Sequence, residues 1–321
     1  MENDLLSSQE VADLLKISRN TVYELIKRGE LSSSKVGKQV RISRNEVNAY
    51  LNGNTGTAAS KEPAVSSPVP KNMKKPHAEP VVDENIRGNE FIMCGQDIAL
   101  DILANHFEDY TDSMQLYRSY LTSYNGIFAL YQGRVNVATA HLWDGELDEY
   151  NVSYVKKMMP GIPSLVIRIG KRQQGFYVQK GNPKEITGWS DLRRMDISII
   201  NREKGSGTRV LLDERLRLMG ILGDYVEGYH HECKSHLAVA SLVSHGEADL
   251  GLGSESGLMN VNGIDFIPLQ MECYDLVMRL SDADKPSYKR LMEIVASDAF
   301  KKDLQILGCY DTSETGKIIW N

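Results

Sequence analysis

The chain has 321 residues, of which 41% are hydrophobic and 25% charged, with a formal net charge of −6. That is ordinary for a soluble globular protein, long enough for two or three domains. Nothing approaches the ~18 consecutive apolar residues of a membrane span. Met1-Glu2-Asn3-Asp4 also lacks the basic-then-apolar layout of a secretory leader, so the cytoplasm is the expected compartment. Four scattered cysteines without a C-x-x-C pair suggest neither a zinc ribbon nor a disulfide framework.

Charge is unevenly spread. Residues 1–52 carry eight Lys/Arg against seven Asp/Glu, which leaves residues 53–321 at −7, and between residues 16 and 44 the balance is +6. A small basic module joined to an acidic body points to nucleic acid at one end. In that module Ser7-Ser8-Gln9-Glu10 offers a capping box, with Val11, Leu14 and Leu15 as the apolar face of a first helix. Ser18 caps a second helix with Val22, Leu25 and Ile26 inward, and Gly29 ends it. Residues 35–42 predict a hairpin with a basic tip, and Ser43-x-x-Glu46 opens a last helix. Two short helices, a tight turn and a basic hairpin make a helix-turn-helix with a wing.

These residues resemble the excisionase-like, MerR-related winged helix-turn-helix family. The likeness rests on Ser8-Gln9-Glu10-Val11-Ala12, Ser18-Arg19-Asn20-Thr21-Val22-Tyr23, Gly29-Glu30-Leu31 and Val36-Gly37 with Arg41-Ile42. It implies double-stranded DNA as a partner. Arg19, Asn20 and Tyr23 would face the major groove, with Lys27 at the end of the same helix. Lys38 and Arg41 would meet phosphates from the wing. One such module covers a half-site, so a homodimer is expected.

From Asn52 to about Gly88 no apolar period survives, and half of the ten prolines fall there. This reads as a tether. The expected domains are therefore residues 1–52, a linker at 53–88 and a body at 89–321.

In the body short apolar runs alternate with helical periods, which predicts α/β layers with mainly parallel sheets. Ligands in such sheets sit beyond the carboxyl ends of the strands. The most informative stretch is Asn201-Arg202-Glu203-Lys204-Gly205-Ser206-Gly207-Thr208-Arg209. An apolar run at residues 197–200 precedes it, and Leu212, Leu216 and Met219 follow at helical spacing. Two readings are open. Unpaired N–H groups at a helix N-terminus make an anion site, with Ser206 and Thr208 as added donors. Alternatively, Ser206 or Thr208 merely caps the helix.

The body also resembles the periplasmic-binding-protein-like domain found in some bacterial regulators and attached to some molybdopterin-biosynthesis enzymes. The motifs are His141-Leu142-Trp143-Asp144, Glu149-Tyr150-Asn151, Arg172-Gln173-Gln174-Gly175, Gly181-Asn182-Pro183 and Asp191-Leu192. They continue with the stretch from Asn201 to Asp213, His236-Leu237-Ala238-Val239-Ala240, Ala248-Asp249-x-Gly251-Leu252-Gly253 and Tyr274-Asp275-Leu276. One departure is Gly95-Gln96, where the family has Ser-His before the Asp of the first loop.

The resemblance implies a two-lobed, type II binding-protein body, with strands crossing between lobes near residues 172–177 and 269–274. It implies an oxyanion ligand, molybdate or tungstate, and no cofactor. The implied contacts are Ser123 and Asn125 on the first lobe, then His141, Ser206, Gly207, Thr208, Arg209 and Ser254. Arg209 either meets the anion or braces Asp213 four residues on. The function implied is a transcription regulator that senses the anion. The alternative is an enzyme or cofactor-handling protein of molybdenum metabolism with an accessory DNA-binding module. His230, His231, Cys233 and His236 lie within seven residues, but only the last two have helical spacing, so no metal site is expected. Neither a G-x-S-x-G elbow nor a Walker A pattern is present.

Overall fold

A computed structural model of the chain describes residues 5–15, 33–36, 39–44, 90–108, 114–258 and 261–321, together with Arg19, Val22, Ile26, Leu31 and Val47. The chain divides into two compact units, residues 1–77 and 78–321. Asn20, Tyr23, Lys27 and Lys38, the whole tether and most of the second and third N-terminal helices lie outside the described residues.

In the first unit β1 (Leu5–Ser7) leads into α1 (Ser8–Leu15), and β2 (Ser34–Val36) pairs with β3 (Gln39–Ser43). The capping box forms as the sequence dictates. Glu10 N–H donates to Ser7 Oγ (3.3 Å), and Ser7 N–H donates to the Glu10 carboxylate (2.7 Å). The wing is an antiparallel hairpin in which Ser34 faces Arg41 and Val36 faces Gln39. The sequence did not reveal that β1 joins β3 as a third strand, Leu5 opposite Ser43. Leu6, Val11, Ala12, Val22, Leu31, Ile42 and Val47 form the core. Leu14, expected on the apolar face, is exposed instead.

The body carries one long sheet. Its strands are β4 (Glu90–Cys94), β5 (Gln115–Ser119), β6 (Val137–Ala140), β9 (Ser164–Gln179), β10 (Ile199–Arg202), β11 (Glu232–Cys233), β12 (Leu250–Ser254), β13 (Ile264–Arg279) and β14 (Ile318–Trp320); β7 (Trp143–Asp144) and β8 (Glu149–Tyr150) pair apart from it. The order is β11-β10-β12-β9-β13-β6-β4-β5, with β14 beside β9.

Towards each end of the order the neighbours are parallel, β10 with β11 and β12, β4 with β5 and β6. At the centre the pairing is antiparallel, β12 with β9, β9 with β13, and β13 with β6. Mostly parallel pairing was expected throughout. The difference arises because β9 carries the chain from the first lobe to the second and β13 carries it back, so the two must run in opposite directions. The segments expected to cross lie inside these 16-residue strands, and the register shifts between Pro268 and Gln270 and between Tyr274 and Asp275.

The first lobe adds α2 (Ala99–Glu108), α3 (Ser123–Tyr131) and α4 (Val152–Met158), and the second adds α5 (Gly207–Leu218) and α6 (His236–Ser244). After β13 the chain returns to the first lobe, where α7 (Pro286–Ala296) and α8 (Asp298–Ile306) pack Leu291, Ile294, Val295, Phe300 and Leu304 against Leu100, Leu103 and Phe107 of α2. Phe91 meets Phe107 and Tyr288 with ring centroids 5.0 and 5.1 Å apart. Burying an aromatic or aliphatic side chain of this size is worth roughly 1.5–3 kcal/mol. The second lobe has its own core of Phe176, Val178, Leu192, Ile197, Ile199, Leu211, Leu212, Leu216 and Leu252. Each lobe thus has its own core, and among the described residues β9 and β13 connect them through the sheet.

Candidate functional site

The turn into α5 is built locally. Gly205 takes φ +87°, a left-handed value that favours glycine. Ser206, extended at φ −70° and ψ 146°, accepts the Arg209 N–H on its Oγ at 3.2 Å and caps the helix. A side chain at Gly207 has no room, because a Cβ there would stand 2.6 Å from the His141 ring and carbonyl oxygen. The turn of the second lobe is therefore pressed directly onto the first.

Other contacts close the cleft. Tyr124 N–H donates to the Gly205 carbonyl at 3.0 Å. Arg202 donates to Gln96 Oε1 at 2.7 Å, and Gln96 Nε2 reaches Glu203 at 3.4 Å. Gln96 thus takes part in lobe closure.

Between the lobes lies a cavity of about 40 Å³. That is room for more than one water, or for a small compact ligand. Three helix starts meet at it: Ser123 of α3, Gly207 of α5 and His236 of α6 all line it. First-turn N–H groups have no partner within their own helix and sit at the positive end of its dipole. Ser206 takes the N–H of Arg209, and Ser235 takes that of Ala238 at 3.1 Å, which leaves the N–H groups of Gly207, Thr208, His236 and Leu237 outside those caps.

Two guanidinium groups also line the cavity, and both are already matched. Arg172, 2% exposed, lies between Asp97 and Glu272 and stacks over the Tyr274 ring at 4.5 Å. Burial alone would disfavour its charge, but Glu272 and Asp97 outweigh that and hold it protonated. Arg202 is held by Glu203 at 2.8 and 3.0 Å. His141 Nδ1 stands 2.7 Å from Glu272. Burial pushes the Glu272 carboxyl up, yet the charges of Arg172 and His141 bring it down to about 2. Burial, with Arg202 and Arg172 nearby, presses the His236 imidazole well below its ordinary range, so it is neutral at pH 7. The cavity therefore offers dipoles and hydrogen bonds, not spare charge.

The residues read from the sequence divide accordingly. Ser123, His141, Ser206 and Gly207 line the cavity. Thr208 follows one residue beyond the lining, and its buried hydroxyl has no partner among the described residues. Asn125 is exposed and outside the lining. Its amide stands by the turn of the second lobe, where a Cβ on Gly205 would lie 3.7 Å from Nδ2, while Thr122 and Ser123 take the lining. Arg209 is also not a lining residue. It is committed to Asp213 (2.9 Å), Glu232 (2.9 Å) and the Tyr229 ring (4.3 Å), so the bracing alternative holds. Ser254 is buried at the end of β12 and bonded to Ser256 at 2.9 Å, again away from the lining.

Sequence reasoning missed Thr122, Arg172, Arg202 and His236 as lining residues. Arg172, Arg202 and His236 stood in motifs already noted, but nothing local marked them as meeting in space. In the first unit Arg19 is exposed and its Nε donates to Ser8 Oγ at 3.3 Å, while Arg41 lies half-buried on β3. Among the described residues no helix is long and apolar enough to cross a membrane.

The family described as "PBP superfamily domain" matches residues 104–296, and "Helix-turn-helix domain" matches residues 5–55. The protein YvgK of Bacillus subtilis (strain 168), described as uncharacterized, is 41% identical over 318 residues, 99% of this chain and 98% of that protein. A protein of Clostridium pasteurianum, described as lying in the 5' region of a ferredoxin 2Fe-2S gene, is 54% identical over 110 residues, 34% of this chain and 97% of its own length. A crystal structure described as a putative phosphate ABC transporter substrate-binding protein with bound phosphate, from Clostridium perfringens, is similar with a TM-score of 0.52. Its sequence is 16% identical, and the likeness, one of fold, covers 70% of this chain and 99% of that one.

Proposed function

We propose a function from one premise: the chain belongs to the PBP superfamily and carries a helix-turn-helix domain at its N-terminal end. That pairing fits a ligand-sensing, DNA-binding regulator. The body closes on a small oxyanion, molybdate or tungstate, and the winged module, of the MerR-related type, binds DNA. Arg19, Asn20 and Tyr23 are its groove contacts, Lys27 is a further DNA contact, and Lys38 and Arg41 are its phosphate contacts. It acts in the cytoplasm as a homodimer on an inverted repeat, because one module spans only a half-site.

The observation that carries the oxyanion reading is the meeting of three helix starts on one small cavity. The size of that cavity in the closed body favours an ion of a few atoms over a pterin, and so favours the sensor over a cofactor-handling protein. Ser206, the one hydroxyl on the central glycine-rich turn that lines the cavity, is tied to a backbone N–H rather than to a base, which gives hydrolytic chemistry no support there.

Isothermal titration of the full chain with molybdate, tungstate, sulfate and phosphate tests the reading. Saturable one-to-one binding of molybdate or tungstate is expected. Absence of heat with all four would remove the oxyanion, and DNA affinity indifferent to the bound anion would remove the sensor.

A further inference from the structure

Two polar atoms in the cavity lining have no partner among the described residues: Thr122 Oγ1 and His236 Nδ1. Leaving a hydroxyl or a ring nitrogen buried and unpaired is costly, so such atoms require an explanation. Thr122 is 8% exposed, and His236 is half-buried with its Nδ1 enclosed.

Each stands at the head of a helix. Thr122 is the N-cap of α3, extended at φ −69° and ψ 164°, the conformation in which threonine ordinarily caps its own helix, yet it makes no cap bond. At α5 and α6 the equivalent residues, Ser206 and Ser235, both do. Of these three caps Thr122 alone keeps its hydroxyl uncommitted, and it abuts the other lobe: a Cβ on Gly205 would lie 3.1 Å from its Oγ1. His236 comes from that other lobe and faces Arg202 and Arg172, whose charges keep a further cation out.

We infer that Thr122 Oγ1 and His236 Nδ1 are side-chain contacts to the anion, one from each lobe, beside the Ser206 hydroxyl; this rests on the oxyanion reading above. A neutral imidazole protonated at Nδ1 donates one hydrogen bond and adds no charge, which suits a cavity whose guanidinium groups are already paired. The anion then satisfies both orphaned atoms and links the lobes through itself.

Titration of the full chain with molybdate, tungstate, sulfate and phosphate in separate arms tests this on three variants. Thr122→Val and His236→Leu are each expected to weaken binding roughly 10- to 100-fold, the worth of a hydrogen bond to a charged group. His236→Asn, which keeps an amide N–H close to the place of Nδ1, is expected to recover most of the affinity. Since neither atom has a partner among the described residues, the melting temperature of ligand-free Thr122→Val should hold or rise. Wild-type affinity in both Thr122→Val and His236→Leu overturns the inference alone. Weaker binding together with a lower ligand-free melting temperature in all three variants assigns the effect to packing and also overturns it. A wild-type chain that binds none of the four anions overturns the inference and the oxyanion reading together.

Discussion

At the start of α5 the partners are neighbours in sequence. Ser206 Oγ receives the N–H three residues on, and Arg209 grips Asp213 four residues on. At the hinge strands they are distant: Arg172 and Asp97 are 75 residues apart, Arg172 and Glu272 are 100, His141 and Glu272 are 131. Both regions bury an arginine almost completely, Arg209 at 1% and Arg172 at 2% exposure. The difference lies in what each guanidinium holds. Arg209 fixes one helix start within one lobe, with Glu232 of β11 as its one distant carboxylate among the described residues. Arg172, on a strand that passes from lobe to lobe, gathers carboxylates from the first loop and from the returning strand. A local network makes a turn; the long-range one sets where that turn faces.

The sharpest way to break the comparison is Arg172→Met. Removing one member of a buried ion cluster leaves Asp97 without its guanidinium and Glu272 with His141 alone, a loss of about 3–5 kcal/mol. Urea unfolding of the ligand-free chain measures it, and a loss below about 1 kcal/mol would mean that the hinge does not depend on this cluster. Acid unfolding sharpens the same point. Glu272 titrates at about 2 in the fold against the ordinary 4.5, so its contribution is complete above pH 4.5 and is lost as pH falls toward 2. His236, held neutral, also binds fewer protons in the fold than unfolded, so its contribution is complete above pH 6.5 and is lost below that. Two successive losses on acidification are expected for the wild-type chain, with the second diminished in Arg172→Met, where His141 remains beside Glu272.

Gly207→Val comes next. Its Cβ would meet His141 at 2.6 Å, and overpacking of this kind costs about 1–3 kcal/mol. Because the clash exists only while the lobes are closed, the strain should be relieved by opening. Small-angle scattering of the ligand-free variant should then show a larger radius of gyration for the body than in the wild-type chain. Unchanged dimensions with unchanged stability would mean that the turn does not press on the first lobe.

The smallest effect belongs to Ser206→Ala, which touches the local network only. Loss of its cap should lower stability by about 1 kcal/mol. The same hydroxyl lines the cavity, so its hydrogen remains free to meet an anion and oxyanion affinity should fall about 10-fold as well. A fall in stability with affinity intact would leave Ser206 as a cap and nothing more.

The glycine-rich turn was legible because its causes are local. An apolar strand, a glycine with positive φ, a serine cap and a helical period all sit within about twenty residues. The capping box of α1, the wing and the Arg209–Asp213 brace were legible for the same reason. The two-lobed body was also foreseen, through ordered motif resemblance more than through periodicity. The antiparallel centre was not. Local pattern reports whether a segment is a strand, but its direction relative to a partner one hundred residues away is set by how the chain crosses between lobes.

The sequence by itself determined which elements form and which helix starts can carry a cap. The tertiary structure alone decided which starts converge. It brought Thr122, Arg172, Arg202 and His236 to one cavity, matched Arg172 with carboxylates 75 and 100 residues away, and left Asn125, Arg209 and Ser254 outside the lining. The physical reason is range. Caps and i,i+4 pairs act within one turn of helix, whereas the partners of a buried charge are chosen by lobe closure, which no short stretch of sequence encodes.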